Sequence, residues 1–230
     1  MSVLLLVRHG QASFGAEDYD ALSEKGHEQA ERLGRSLAER GIAPDLVLRG
    51  DLRRHRETAE GVLAGLGLPD ASVPVEVDAG WDEFDFDHVL DVHLPRDERL
   101  RLLAGTPATE HRAVFQTLFE KATARWLGGA SDEDYHETYA AFAARCRGAT
   151  DRTATRAREA GARTVLVVSS GGPIAMVASQ VLTGGPGAWP ALNRVTVNAA
   201  VTKVLAGRSG LTLSTFNEHA HLGPDLTTYR

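Results

Sequence analysis

Arg8, His9 and Gly10 follow the apolar run Val3-Leu4-Leu5-Leu6-Val7, an order that sets an imidazole beside a guanidinium where a strand ends. Open α/β sheets bind their ligands at the carboxyl ends of strands. Arginine offers a flat fork of N–H donors that fits phosphate bidentately, and a neutral imidazole carries a nitrogen lone pair that can attack phosphorus. The pair points to phosphoryl transfer through a phosphohistidine. An isolated Arg-His-Gly also occurs simply as a strand cap, so the assignment needs further residues in step with it.

Those residues come in order along the chain. Leu22-Ser23-Glu24-Lys25-Gly26 is followed by Gln29-Ala30, Leu52-Arg53-Arg54-His55-Arg56-Glu57-Thr58-Ala59, Trp81-Asp82-Glu83-Phe84 and Val167-Val168-Ser169-Ser170-Gly171-Gly172. Together with Arg8-His9-Gly10-Gln11-Ala12 they resemble the histidine phosphatase superfamily, the phosphoglycerate mutase-like family, from Val3 to about Leu222.

The resemblance implies a cofactor-independent reaction with His9 as nucleophile and Arg8 as a phosphate ligand. Arg54 matches the family's second phosphate-binding arginine, with Arg53 and Arg56 as competitors or the three together as a solvated basic face. Glu83 matches the carboxylate that protonates the departing oxygen. Trp81 and Phe84 are expected to desolvate it; Asp82 and Asp85 are its rivals, and an ordinary acidic loop is the plainer alternative. The usual Ser-His-Gly is here Ser169-Ser170-Gly171, so a neutral hydroxyl stands where a second imidazole is expected. Hydrogen bonds from charged donors are roughly twice as strong as neutral ones. Ser170 and Gly171 still suit a phosphate cradle, because small residues expose backbone N–H groups and Pro173 fits the first turn of a following helix. His219 and His221 are auxiliary candidates for the missing imidazole, and His55 is a weaker one. The histidines show no metal-ligand spacing, and the expected site holds no metal.

With 230 residues, 43% hydrophobic, 24% charged and a net charge of -6, the chain suits one enzyme-sized domain, 1–230. The acidic balance argues against nucleic acid or an anionic membrane as partner and leaves a small phosphorylated substrate. One cysteine, Cys146, cannot form an internal disulfide, and the opening apolar run is too short for a signal-peptide core, so a cytoplasmic location is expected.

The elements that must position these residues alternate. Apolar runs at 3–7 and 164–168 read as strands covered on both faces, with a short strand at 45–48. Helices are predicted at 23–40, 52–63, 138–160 and 174–182, and paired strands at 195–205 and 211–216. The expected fold is a three-layer α/β sandwich with a mostly parallel central sheet. Residues at about 85–134 break the alternation and read as an inserted, lid-like segment over the catalytic face, with a helix at 111–127.

A metal-independent phosphomonoester hydrolase is therefore expected. A catalytically impaired phospho-ligand binding protein is the alternative that rests on Ser170. A mutase is disfavoured by the acidic stretch Asp78, Asp82, Glu83, Asp85, Asp87 and Asp91, if that stretch lines the pocket.

Overall fold

The computed structural model describes residues 1–13, 20–69 and 71–229. Among them β1 (Ser2–Arg8), β2 (Leu46–Arg49), β3 (Val75–Val77), β4 (Thr164–Ser169), β5 (Val201–Gly207) and β6 (Gly210–Glu218) form one sheet in the order β3-β2-β4-β1-β5-β6. The first four run parallel and β5 is antiparallel to both of its neighbours, which confirms the mostly parallel α/β expectation.

Alternation along β1 divides its side chains between two covered faces. Leu5 and Val7 join Ala30, Leu33 and Leu37 of α1 (Glu24–Glu39) and Ala59 and Val62 of α2 (Arg53–Gly65) in one buried cluster. Leu4 and Leu6 are equally buried on the opposite face. There α7 (Gly171–Thr183), buried at nearly every position of its first half, packs on β1 and β6. α1 starts where its sequence signals a start: Ser23 Oγ accepts the Gly26 N–H at 3.1 Å, and the helix stops before Gly41, whose φ is +65°.

The register aligns the strand ends that matter. Arg8 lies opposite Ser169, and Arg49 opposite Val168, so the residues after β1, β2 and β4 emerge at one edge of the sheet. His9 N–H continues the ladder to the Ser169 carbonyl at 2.8 Å, and Gly50 N–H to Val168 at 3.1 Å.

Two expectations are corrected. The strand predicted to begin at Val195 begins at Val201, after α8 (Trp189–Arg194) and a turn. In that turn Ala199 has a φ of +56° and its N–H reaches the Arg8 carbonyl at 3.0 Å, so apolar residues that look like strand serve as a clamp on the end of β1. α7 starts at Gly171 instead of 174, since Pro173 in the first turn lacks only an N–H that has no intrahelical partner.

Residues Phe84–Arg145 form a compact unit apart from Met1–Glu83 with Cys146–Arg230. It holds α3 (Phe86–His93), α4 (Arg96–Ala104), α5 (His111–Leu127) and the first turns of α6 (Tyr139–Glu159). Its aromatic core stacks Phe84 on Trp126 at 4.8 Å, with Phe142 5.4 Å from Phe84. Two acidic residues here have structural partners: Asp85 caps α3 by accepting the His88 N–H at 2.9 Å, and Asp91 pairs with Arg99 at 2.9 Å. A short α9 (Gly223–Leu226) closes the chain.

Candidate active site

His9 is 7% exposed, and its Nδ1 lies 2.7 Å from the Gly10 carbonyl. A carbonyl only accepts, so Nδ1 carries the proton and Nε2 is left with the lone pair. Burial first, then the charges of Arg54 and Arg8 and the ring of His55, hold its pKa well below the usual histidine range. The ring is therefore neutral at physiological pH, the form a nucleophile requires. Its backbone is fixed from both sides: Asn198 Nδ2 donates to the His9 carbonyl at 3.1 Å, and Thr58 Oγ1 accepts the Gly10 N–H at 3.0 Å.

Both proposed phosphate-binding arginines bear on His9. Arg8 donates through Nη1 to the carbonyls of Thr196 and, at 2.9 Å, Tyr229. Arg54 sits in the first turn of α2 with a side chain only 11% exposed, and its Nη1 donates to Asp20 Oδ1 at 2.6 Å. Asp20 also accepts the Arg53 N–H, so one carboxylate orients both the helix start and the guanidinium. The competing side chains turn elsewhere: Arg53 pairs with Glu57, and Arg56 with Glu60 across exposed helix surface.

Ser170 does not stand alone. As the residue before α7 it is fully buried, and its Oγ lies 2.8 Å from Nε2 of His55, which is also fully buried. The His55 and His9 rings are 5.8 Å apart. On the far side of the His55 ring, Nδ1 is 3.7 Å from Asp82 Oδ1 and has no hydrogen-bond partner among the described residues. Gly50 makes this approach possible, because a Cβ there would fall 2.3 Å from His55 Nδ1 and 2.4 Å from Asp82 Oδ1. Burial, then Arg54 and Arg49, hold the His55 pKa well below the usual range.

Glu83 meets the same turn from another direction. Its Oε2 accepts the Gly172 N–H at 3.1 Å, at the positive end of α7. Trp81, buried beside it in the chain, accepts through its carbonyl from Ser169 Oγ at 2.6 Å, and Asp82 accepts the Asp51 N–H at 2.7 Å. The acid loop is thus tied to the ends of β4 and β2. Gly171 is bordered by the first cation, since a Cβ on it would lie 3.4 Å from Arg8 Nε.

His9, Arg8, Arg54, Ser170, Gly171 and Glu83 are thereby brought to one edge of the sheet. His219 and His221 are not joined to them by any of these contacts. His219 Nδ1 is bonded to the Asn217 carbonyl at 2.6 Å, and His221 is governed first by burial, then by Glu218 and the Ala199 backbone. Within the acidic stretch, Asp78 pairs with Arg152 at 2.8 Å, whereas Asp82 and Glu83 stay beside His55 and Gly172. Asn198 was hidden in a stretch with strand-like composition. His55 had a signal: an extra histidine directly after Arg54 in a chain that lacks one at Ser170.

Residues 4–219 match the family described as Histidine phosphatase superfamily (branch 1). A 2,3-bisphosphoglycerate-dependent phosphoglycerate mutase of Thermobifida fusca is 47% identical over 75 residues, 30% of this chain and 30% of that protein. The chain spans about a third of the length of the first curated mutases it matches, 35% and 30%. A broad-specificity phosphatase of Saccharomyces cerevisiae is 26% identical over 180 residues, 76% of this chain and 67% of that one. Among solved structures, a phosphoglycerate mutase from Bacillus anthracis superposes with a TM-score of 0.65 at 22% identity, covering 96% of this chain and 94% of that one. A mycobacterial glucosyl-3-phosphoglycerate phosphatase does so with a TM-score of 0.61 at 24% identity, covering 96% and 100%. With its fold and the order of its motifs in agreement, the chain belongs to the histidine phosphatase superfamily.

Proposed function

We propose that the protein is a metal-independent phosphomonoester hydrolase that acts through a phosphohistidine. The observation that carries the reading is His9: a neutral imidazole whose Nδ1 proton is committed to Gly10, set beside two arginines. Nε2 attacks phosphorus; the P–N bond forms as the P–O bond to the alcohol breaks. Glu83 gives its proton to the departing oxygen, then takes one from the water that attacks phosphorus and releases His9. Arg8 and Arg54 neutralise the equatorial oxygens, where charge is spread during transfer. Ser170 and the backbone at Gly171 complete the cradle.

Hydrolysis is supported over mutase activity by the extent of sequence similarity to curated relatives, since a phosphatase is matched over 76% of the chain and the mutases over shorter stretches. The mutase reading keeps the support of the shorter but more identical matches. The two separate in one experiment: phosphate release from a panel of phosphomonoesters with chelator present, beside interconversion of 2- and 3-phosphoglycerate, each against His9→Ala. Phosphate release that survives His9→Ala removes the nucleophile assignment. Interconversion without release makes the protein a mutase, and inactivity on every substrate leaves a phospho-ligand binding protein. The segment at 85–134 is proposed as the source of substrate selectivity within a single 1–230 domain, in a cytoplasmic enzyme.

A further inference from the structure

His55 is fully buried with Nε2 committed to Ser170 and Nδ1 facing the carboxylate of Asp82 across 3.7 Å. Nε2 is within hydrogen-bond distance of Ser170 Oγ, whereas Nδ1 is too far from Asp82 Oδ1 for a hydrogen bond, so the neutral ring is assigned its proton on Nε2, donated to Ser170 Oγ. That leaves the Ser170 hydroxyl proton free to turn toward a ligand. The ring's other nitrogen then presents a lone pair to a carboxylate, an arrangement that one added proton converts into an attraction.

We infer that His55 is a positioning residue whose protonation is coupled to anion binding: when a tetrahedral dianion enters beside Arg8, Arg54 and Ser170, His55 takes up one proton at Nδ1 from solvent. The hydroxyl that Ser170 presents to the anion is then backed by an imidazolium held between Ser170 and Asp82. This rests on the phosphoryl site proposed above and deepens it by explaining what stands in for the missing second histidine.

The groups around the ring set the direction. Arg54 from its own helix, Arg49 from the end of β2 and burial oppose a charge on His55 in the free protein. His9 on the loop after β1 is a neutral neighbour, and Asp82 favours the charge. A dianion between the arginines offsets their repulsion and adds its own attraction through Ser170, so binding and protonation help each other reciprocally. Gly50 is required for the geometry, since any side chain there would fill the space between Nδ1 and Asp82.

The experiment is calorimetric titration with tungstate, a tetrahedral dianion that does not itself titrate near neutral pH, in buffers of differing ionisation enthalpy. Wild type should take up close to one proton per tungstate bound, with affinity falling by up to about tenfold per pH unit as pH rises through the coupled window. His55→Gln should still bind, more weakly, with the proton uptake gone. The ¹⁵N resonances of the His55 ring in wild type should move to the doubly protonated pattern on adding tungstate, a reading that needs no variant. Binding without proton uptake, or uptake retained in His55→Gln and lost in His9→Gln, overturns the inference and leaves the phosphatase reading standing. Failure of wild type to bind tungstate at all overturns both.

Discussion

Gly10 and Gly26 approach so closely that a methyl group on either would overlap backbone: a Cβ on Gly10 would lie 2.4 Å from the Gly26 carbonyl oxygen, and one on Gly26 would lie 2.2 Å from that of Gln11. The start of α1 is thereby pressed against the loop that carries His9. Gly26→Ala must shift one of the two backbones, and overpacking of this kind costs about 1–3 kcal/mol. Thermal unfolding should fall by about 2–4 °C per kcal/mol in a chain of this size, with turnover reduced through the displaced His9. Wild-type stability and turnover in Gly26→Ala would show that the loop is not held by this contact.

The arginines should separate by role. Arg54→Ala removes a well-placed charged donor, and such losses cost roughly 10²- to 10³-fold in rate. Arg56, whose ion pair among the described residues is with exposed Glu60, should be replaceable by Ala with turnover within about twofold, as an exposed pair contributes about 0–1 kcal/mol at most. Steady-state kinetics on one substrate decides between them; equal effects would make the basic cluster a surface feature.

Rapid mixing with a good substrate followed by an alkaline quench should trap an acid-labile phosphoramidate on wild type and none on His9→Ala. Because His9 is held neutral well below the usual histidine range, kcat/KM should show no acidic limb from His9 between about pH 6 and 8. A limb in that range that disappears only with substitution of His9 would contradict the assignment of a neutral nucleophile.

Ser170→His alone should fail. With His55 Nε2 already 2.8 Å from Ser170 Oγ, a second imidazole has no room, and the overlap should cost about 1–3 kcal/mol and nearly all activity. Adding His55→Ala vacates that space, so the double variant should recover activity relative to Ser170→His, a non-additivity of about 0.5–3 kcal/mol characteristic of residues in contact. Additive losses across the four proteins would mean that positions 55 and 170 do not share one pocket.

Acid should destabilise the fold in a defined window. Burial brings His221 from 6.5 to about 4, and His9 and His55 are lowered as well, so below the ordinary histidine value the unfolded chain binds more protons than the folded one. Stability is fully present above that value and is lost as pH falls. His221 alone contributes up to about 3 kcal/mol between its two values. Denaturant unfolding at neutral pH and near pH 4.5 should show a smaller acid loss in His221→Gln than in wild type; an identical loss would mean that His221 does not titrate with folding.

Much of the scaffold is legible in the amino-acid sequence. Apolar patterning places β1, α1 and β4 within a residue or two, because it matches the faces they bury and local signals such as Ser23 and Gly41 mark the ends of α1. The order of motifs named His9, Arg8, Arg54, Glu83 and Ser170 as members of one site. What the chain alone did not reveal is who touches whom. His55 and Ser170 are far apart in sequence and meet only because β2 and β4 are neighbours in the sheet with their carboxyl ends in register. The 195–200 segment has the composition of a strand, yet tertiary hydrogen bonds to Arg8 and His9 outweigh local propensity and bend it into a clamp. Residue types determined the chemistry available to this protein, because an imidazole, two guanidiniums and a carboxylate define few reactions. Packing decided which histidine stands behind the serine, because proximity across a sheet depends on register and burial, which no local pattern encodes.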